Sequence, residues 1–130
     1  MVADFASRIS RGEVRVLLQH RQLVGYVVSF PLSDSCAVPH QDSSHSGAPS
    51  PVYFLENIAV LPDRQGAGYG RLMINEVIAG ARKNNSDCIE LYTNEMMVEN
   101  IMWYRKLGFE EFDRRVEDGF NRVYLRLQLL

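Results

Sequence analysis

The stretch from Val52 to Arg82, VYFLENIAVLPDRQGAGYGRLMINEVIAGAR, confines this chain more tightly than any other. Its first part, Val52 to Val60, is rich in β-branched and aromatic residues and reads as a strand. Pro62 and Asp63 stop it. Gln65-Gly66-Ala67-Gly68-Tyr69-Gly70 follows, and then Ile74, Val77, Ile78 and Ala81 recur at the spacing of one helix face. The first turn of a helix has N–H groups without intrahelical partners and carries partial positive charge. Glycines beside it let another molecule's oxygens approach the backbone. Strand, glycine loop and helix together make a cradle for phosphate.

Two familiar cradles do not fit. A Walker loop ends in Gly-Lys-Ser/Thr, whereas Gly70 is followed by Arg71 and Leu72. A dinucleotide loop needs G-x-G-x-x-G, and the spacing here is G-x-G-x-G. What remains is Gln65-x-x-Gly68-x-Gly70 directly after a strand ending in Ile58-Ala59-Val60-Leu61-Pro62.

Bulk properties narrow the classes further. A length of 130 residues suits one domain. The formal net charge of -2 gives no nucleic-acid footprint, and no apolar run reaches the ~20 residues of a membrane span. Met1 to Phe5 lack a basic region leading into an apolar core, so no secretory signal is expected and the location expected is cytoplasmic. Cys36 stands in a polar loop and Cys88 opens an apolar strand; no disulfide is expected between them, in keeping with a reducing compartment.

Taken in order, Val2 to Ser10 has room for one or two helical turns, with Phe5 and Ile9 one turn apart. Val14, Val16 and Leu18 alternate with Arg15, Leu17 and Gln19, and a second run covers Leu23 to Phe30. With His20-Arg21-Gln22 between them, they predict an antiparallel hairpin whose turn lacks the usual glycine or asparagine. Pro31 to Pro51 is rich in Ser, Pro and Asp and reads as a long mobile surface loop. His40 and His45 lie there without further ligands nearby, so no metal is expected. Asn84 to Asp87 is a turn cluster, and Cys88 to Thr93 a short strand. A second helix is expected from about Met96 to Leu107, capped by Gly108, followed by a strand from Phe109 to Val116. Val123, Leu125, Leu127 and Leu129 alternate with polar residues in the last strand. The natural packing is a mixed α/β sheet with two helices against it.

Four segments together resemble the GNAT family of N-acetyltransferases, which bind acetyl-CoA. They are Leu55 to Val60 closing on Leu61-Pro62, Arg64 to Arg71, Ile89 to Asn94, and Asn100-x-x-x-Tyr104-Arg105-Lys106-Leu107-Gly108-Phe109. The resemblance implies the GNAT-like acyl-CoA N-acyltransferase fold, in which the two central parallel strands splay and the pantetheine arm enters the gap. It implies that the backbone of Ile58, Ala59 and Val60 bonds pantetheine. Backbone N–H groups of Gln65, Gly66, Ala67, Gly68, Tyr69, Gly70 and Arg71 would hold the pyrophosphate. Asn94 or Asn100 would bond pantetheine or the substrate, Asn100 being the better match. An amine acceptor, of a small molecule or a protein, would attack the thioester of acetyl-CoA in a ternary complex. Glu56 is the candidate base, with Glu90 its rival, and Tyr104 matches the family's acid beside the sulfur. Trp103 and Met102 read as packing residues, and Arg114-Arg115 as a solvated strand face.

One departure stands out. Family members begin with a strand and one or two helices before the first hairpin, and here only about a dozen residues precede Val14. That region helps form the acceptor wall in the family. Its shortening predicts an uncovered sheet edge and a homodimer. It also leaves open a non-catalytic acyl-CoA-binding or regulatory module.

Overall fold

The computed structural model describes residues 12–35, 51–66 and 68–129. The expected helical turns of Val2 to Ser10, the loop histidines and Ala67 lie outside them. Six strands and two helices follow in the order β1 (Val14–Gln19), β2 (Gln22–Ser35), β3 (Pro51–Val60), α1 (Tyr69–Lys83), β4 (Cys88–Asn94), α2 (Val98–Lys106), β5 (Glu110–Glu117) and β6 (Phe120–Gln128). The sheet runs β1-β2-β3-β4-β6-β5. Only β3 and β4 pair in parallel; the other neighbours are antiparallel.

The alternation along the strands decides where the core lies. Tyr53, Leu55, Ile89, Leu91, Val123 and Leu125 point to one face and are buried there against Met73, Ile74, Val77 and Ala81 of α1. Each of the larger aliphatic side chains contributes about 1.5–3 kcal/mol through burial. Ile101, Trp103, Tyr104 and Leu107 bring α2 onto the same cluster. The intervening residues on the other face form a row of rings across five strands. Phe30, Phe54, Tyr92, Tyr124 and Phe112 follow one another with centroids 5.3–6.0 Å apart.

Three expectations need correction. Pro31 belongs to β2, where Tyr53 is its partner, and the register shifts between Pro31 and Ser35. A proline that lacks an N–H fits a ladder at such an irregularity. The second helix starts at Val98 rather than Met96. The Asn94 side-chain oxygen accepts from Met96 N (2.9 Å) and its carbonyl from Met97 N (2.9 Å), which makes a turn of the residues expected to open the helix. Third, Cys88 is fully buried and disulfide-bonded; its partner lies outside the described residues. The cysteines therefore lend no support to a reducing compartment.

The sheet opens in the middle. Pairing between β3 and β4 runs from Val52↔Cys88 to Phe54↔Glu90 and stops there, although β3 continues to Val60 and β4 to Asn94. Just beyond, Ser29 faces Leu55 while Val28 faces Asn57, so Glu56 is an extra residue in β3. Such a bulge bends its strand and increases the local twist. β3 stays with β2 up to Gly25↔Val60, β4 stays with β6 up to Asn94↔Arg122, and a wedge separates them. Near the start of β2, Gly25 has no room for a side chain: a Cβ there would lie 2.5 Å from the Ala59 carbonyl oxygen. We expect Gly25→Ala to cost about 1–3 kcal/mol in urea unfolding; an unchanged midpoint would show that β2 and β3 approach less closely than described.

Candidate functional site

The end of β3 leads straight into the cradle. A 3-10 turn spans Pro62–Arg64, closed by Arg64 N donating to the Leu61 carbonyl at 2.9 Å. Gln65 Nε2 reaches back to the Val60 carbonyl at 3.1 Å. Gly66 and Gly68 take φ of 89° and 86°, values that an L side chain rarely adopts. Gly68 is the N-cap of α1 and makes no side-chain cap bond, and no acidic residue lies in the first turn. The N–H groups that begin α1 therefore keep both their donors and their positive field for an outside acceptor. Arg82 and Lys83 complement the opposite end.

The second helix forms the facing wall. Glu99, Asn100 and Trp103, at i, i+1 and i+4, share one side of α2. With Ile58, Ala59, Val60, Arg64, Gln65, Gly66, Tyr69 and Gly70 they line a cavity of about 550 Å³. Trp103 lies so close to Gly70 that a Cβ there would fall 2.5 Å from indole Cζ2. Glycine at position 70 thus lets the two helices meet at the cradle.

Of the residues singled out from the sequence, Ile58, Ala59, Val60, Gln65, Gly66, Tyr69, Gly70 and Asn100 come together around this cavity. Gly68 and Arg71, though part of the turn at the start of α1, are not among its lining residues. Asn94 holds the turn after β4. Glu56 is the exposed bulge residue at the fork of the strands. Glu90 lies on the paired stretch of β4, its carboxylate 3.1 Å from Arg126 Nε. Tyr104 is packed between Trp103 and Phe109, with centroid distances of 5.2 and 5.6 Å. Burial pushes its hydroxyl up to about 12, so it keeps its proton at neutral pH. Arg114 and Arg115 face solvent in ion pairs with Glu111 and Asp113. Reading Trp103 as a packing residue missed its place in the cavity wall, and Arg64 and Glu99 were not singled out. The spacing of Glu99, Asn100 and Trp103 on one helix face was the available signal.

The cavity joins the cationic Arg64 and the N–H donors at the start of α1 to the last residues of β3, beyond its pairing with β4. That combination suits a long ligand with phosphates at its head and amides along its tail. Residues 10–111 match the family described as the acetyltransferase (GNAT) domain, and the chain belongs to that family. An uncharacterised N-acetyltransferase of Methanocaldococcus jannaschii is 34% identical over 73 residues, covering 56% of this chain and 31% of that protein. The alanine N-acetyltransferase of ribosomal protein bS18 from Haemophilus influenzae is 25% identical over 99 residues, covering 76% of this chain and 56% of that protein. The chain thus spans about a third and just over half of these two relatives. Among solved structures, a GNAT-family acetyltransferase from Elizabethkingia anophelis with acetyl-CoA bound superposes with a TM-score of 0.71. It is 17% identical, and the match covers 99% of this chain and 84% of that one.

The Gly70–Trp103 contact can be tested directly. Gly70→Ala should destabilise the fold by about 1–3 kcal/mol through overpacking. Adding Trp103→Phe should recover half or more of that loss in calorimetry. Additive losses would mean that the indole does not occupy this space.

Proposed function

We propose that this chain transfers an acetyl group from acetyl-CoA to a primary amine of a small molecule or a protein, by direct attack in a ternary complex. The observation that carries this reading is the joining of one cavity to both the uncapped start of α1 and the unpaired edge of β3. Backbone N–H groups of Gln65 to Arg71 hold the pyrophosphate, and Ile58, Ala59 and Val60 offer strand groups to the pantetheine amides. Asn100 adds a polar side chain from the facing wall. Membership of the family, and a relative that acetylates an alanine of a ribosomal protein, support the same chemistry.

Bound acetyl-CoA supplies a thioester carbonyl open to nucleophilic attack. A protonated alkyl amine, with a pKa near ~10, must first lose its proton. Glu56 takes that proton, directly or through water, from its place at the fork of the strands. Glu90 is the poorer base because Arg126 engages its carboxylate. A strand N–H in the wedge stabilises the developing oxyanion. Tyr104 donates a hydrogen bond to the departing sulfur. Its raised pKa suits a donor and rules out a tyrosinate base at neutral pH. A thiol titrates near ~8.5, so Tyr104 eases charge build-up on sulfur rather than surrendering its proton outright.

Acetyl-CoA should raise the melting temperature, and an amine panel should then release free thiol. Stabilisation without turnover on any amine would favour the acyl-CoA-binding module instead. Tyr104→Phe should lower kcat about 100-fold while CoA affinity holds, and Glu56→Gln should lower kcat by a similar factor. Unchanged kcat in either variant would remove that residue from the mechanism.

We also infer a homodimer. β1 ends the sheet and exposes Val16 at 55% and Leu18 at 58%, next to Leu23 of β2 at 49%. A light-scattering mass of one chain at high concentration would count against it.

A further inference from the structure

The β1–β2 turn is bonded to both sides of the glycine loop. Arg64 Nη1 donates to Gln19 Oε1 at 2.7 Å, and Arg64 Nη2 to Gln22 Oε1 at 3.2 Å. Tyr69 Oη donates to the same Gln19 oxygen at 2.7 Å. Arg64 precedes the loop, Tyr69 opens α1 after it, and both line the cavity. One oxygen of a distant hairpin therefore holds the two residues that bracket Gly66 and Gly68.

The turn is built at a cost. His20 and Arg21 take φ of 52° and 66°, left-handed values that strain a non-glycine residue. This two-residue turn sets Gln19 opposite Gln22, and both side-chain oxygens then meet the fork of Arg64. A backbone bond from Leu61 N to the Val24 carbonyl (2.8 Å) holds the end of β3 to the same hairpin.

We propose that Gln19 is a positioning residue for acetyl-CoA binding: by clasping Arg64 and Tyr69 together it pre-orders the glycine loop that takes the pyrophosphate. Glycines have the most conformational freedom to lose, and a loop already ordered loses less of it when the ligand arrives. The inference rests on the proposed acetyl-CoA site, while the clasp itself can be read without ligand.

The test compares Gln19→Leu, Gln19→Glu and Tyr69→Phe with the wild type. In the ligand-free protein, ¹⁵N relaxation should show the order parameters of Gly66 and Gly68 falling in Gln19→Leu and holding in Gln19→Glu, whose carboxylate still accepts both bonds. KM for acetyl-CoA should rise about tenfold in Gln19→Leu, the loss of bonds to a charged group, with kcat within about twofold. Gln19→Glu should keep the glycines ordered yet bind acetyl-CoA less tightly than the wild type, because its carboxylate draws on the field of Arg64. If Gln19→Leu fails to fold, Tyr69→Phe removes one of the two bonds to Gln19 without touching the turn and should loosen the same glycines. Order parameters unchanged in the folded variants overturn the clasp, and loosened glycines with unchanged KM overturn its role in binding. A wild type that never responds to acetyl-CoA defeats the proposed function, and the relaxation data still decide the clasp.

Discussion

Everything in this structure that bears on chemistry depends on two neighbouring strands ceasing to pair. β3 and β4 are hydrogen-bonded only through Phe54↔Glu90. Beyond that point each keeps its outer neighbour and loses the inner one. Backbone N–H and C=O groups left this way must find water or another partner. The extra residue Glu56 gives the local cause, since a bulge bends β3 two residues after its last pair with β4. A ligand with its own amides can take the missing strand's place, the logic by which extended peptides add to sheet edges.

The wedge would be an unspecific gap without the cradle at its mouth. Gly66 and Gly68 adopt left-handed backbone so that the chain can turn from β3 into α1 within a few residues. The first turn of α1 then points its donors at the gap, and Gly70 admits the indole of Trp103, drawing α2 in as the opposite wall. Strand edge, helix start and second helix thus meet because Gly66 and Gly68 allow the left-handed turn and Gly70 has no side chain to strike Trp103. Gly25 serves the same end on the other side of β3, where a side chain would strike the Ala59 carbonyl.

Charge is handled differently inside and outside this region. On the β5–β6 hairpin each arginine pairs with a neighbouring carboxylate, as in Arg114 with Glu111 and Arg115 with Asp113. These exposed pairs contribute little to stability, but each sets a carboxylate beside its arginine. At the cavity, Arg64 is held by neutral glutamine oxygens, and among the described residues Asp63 is its one carboxylate neighbour, 3.9 Å away. A cation bonded to amides keeps its field available to an anion, whereas one tightly paired to a carboxylate does not.

The sequence alone determined the elements whose signals are local. The glycine loop between β3 and α1, the stripe of Ile74, Val77 and Ala81, the alternation ending at Leu129 and the one-turn spacing of Asn100 and Tyr104 all arise from neighbouring residues. Local spacing could not reveal that Glu56 is a bulge, that Trp103 fills the space above Gly70, that Gln19 reaches Arg64, or that Cys88 is disulfide-bonded. It also misplaced Pro31 in a loop and the start of α2 at Met96. Each of these depends on which strand pairs with which, and in what register, and so on contacts between residues far apart in the chain. Only the tertiary structure brings such residues together, because the free energy that sets a register comes from burying whole faces of a sheet rather than from any one residue's preference.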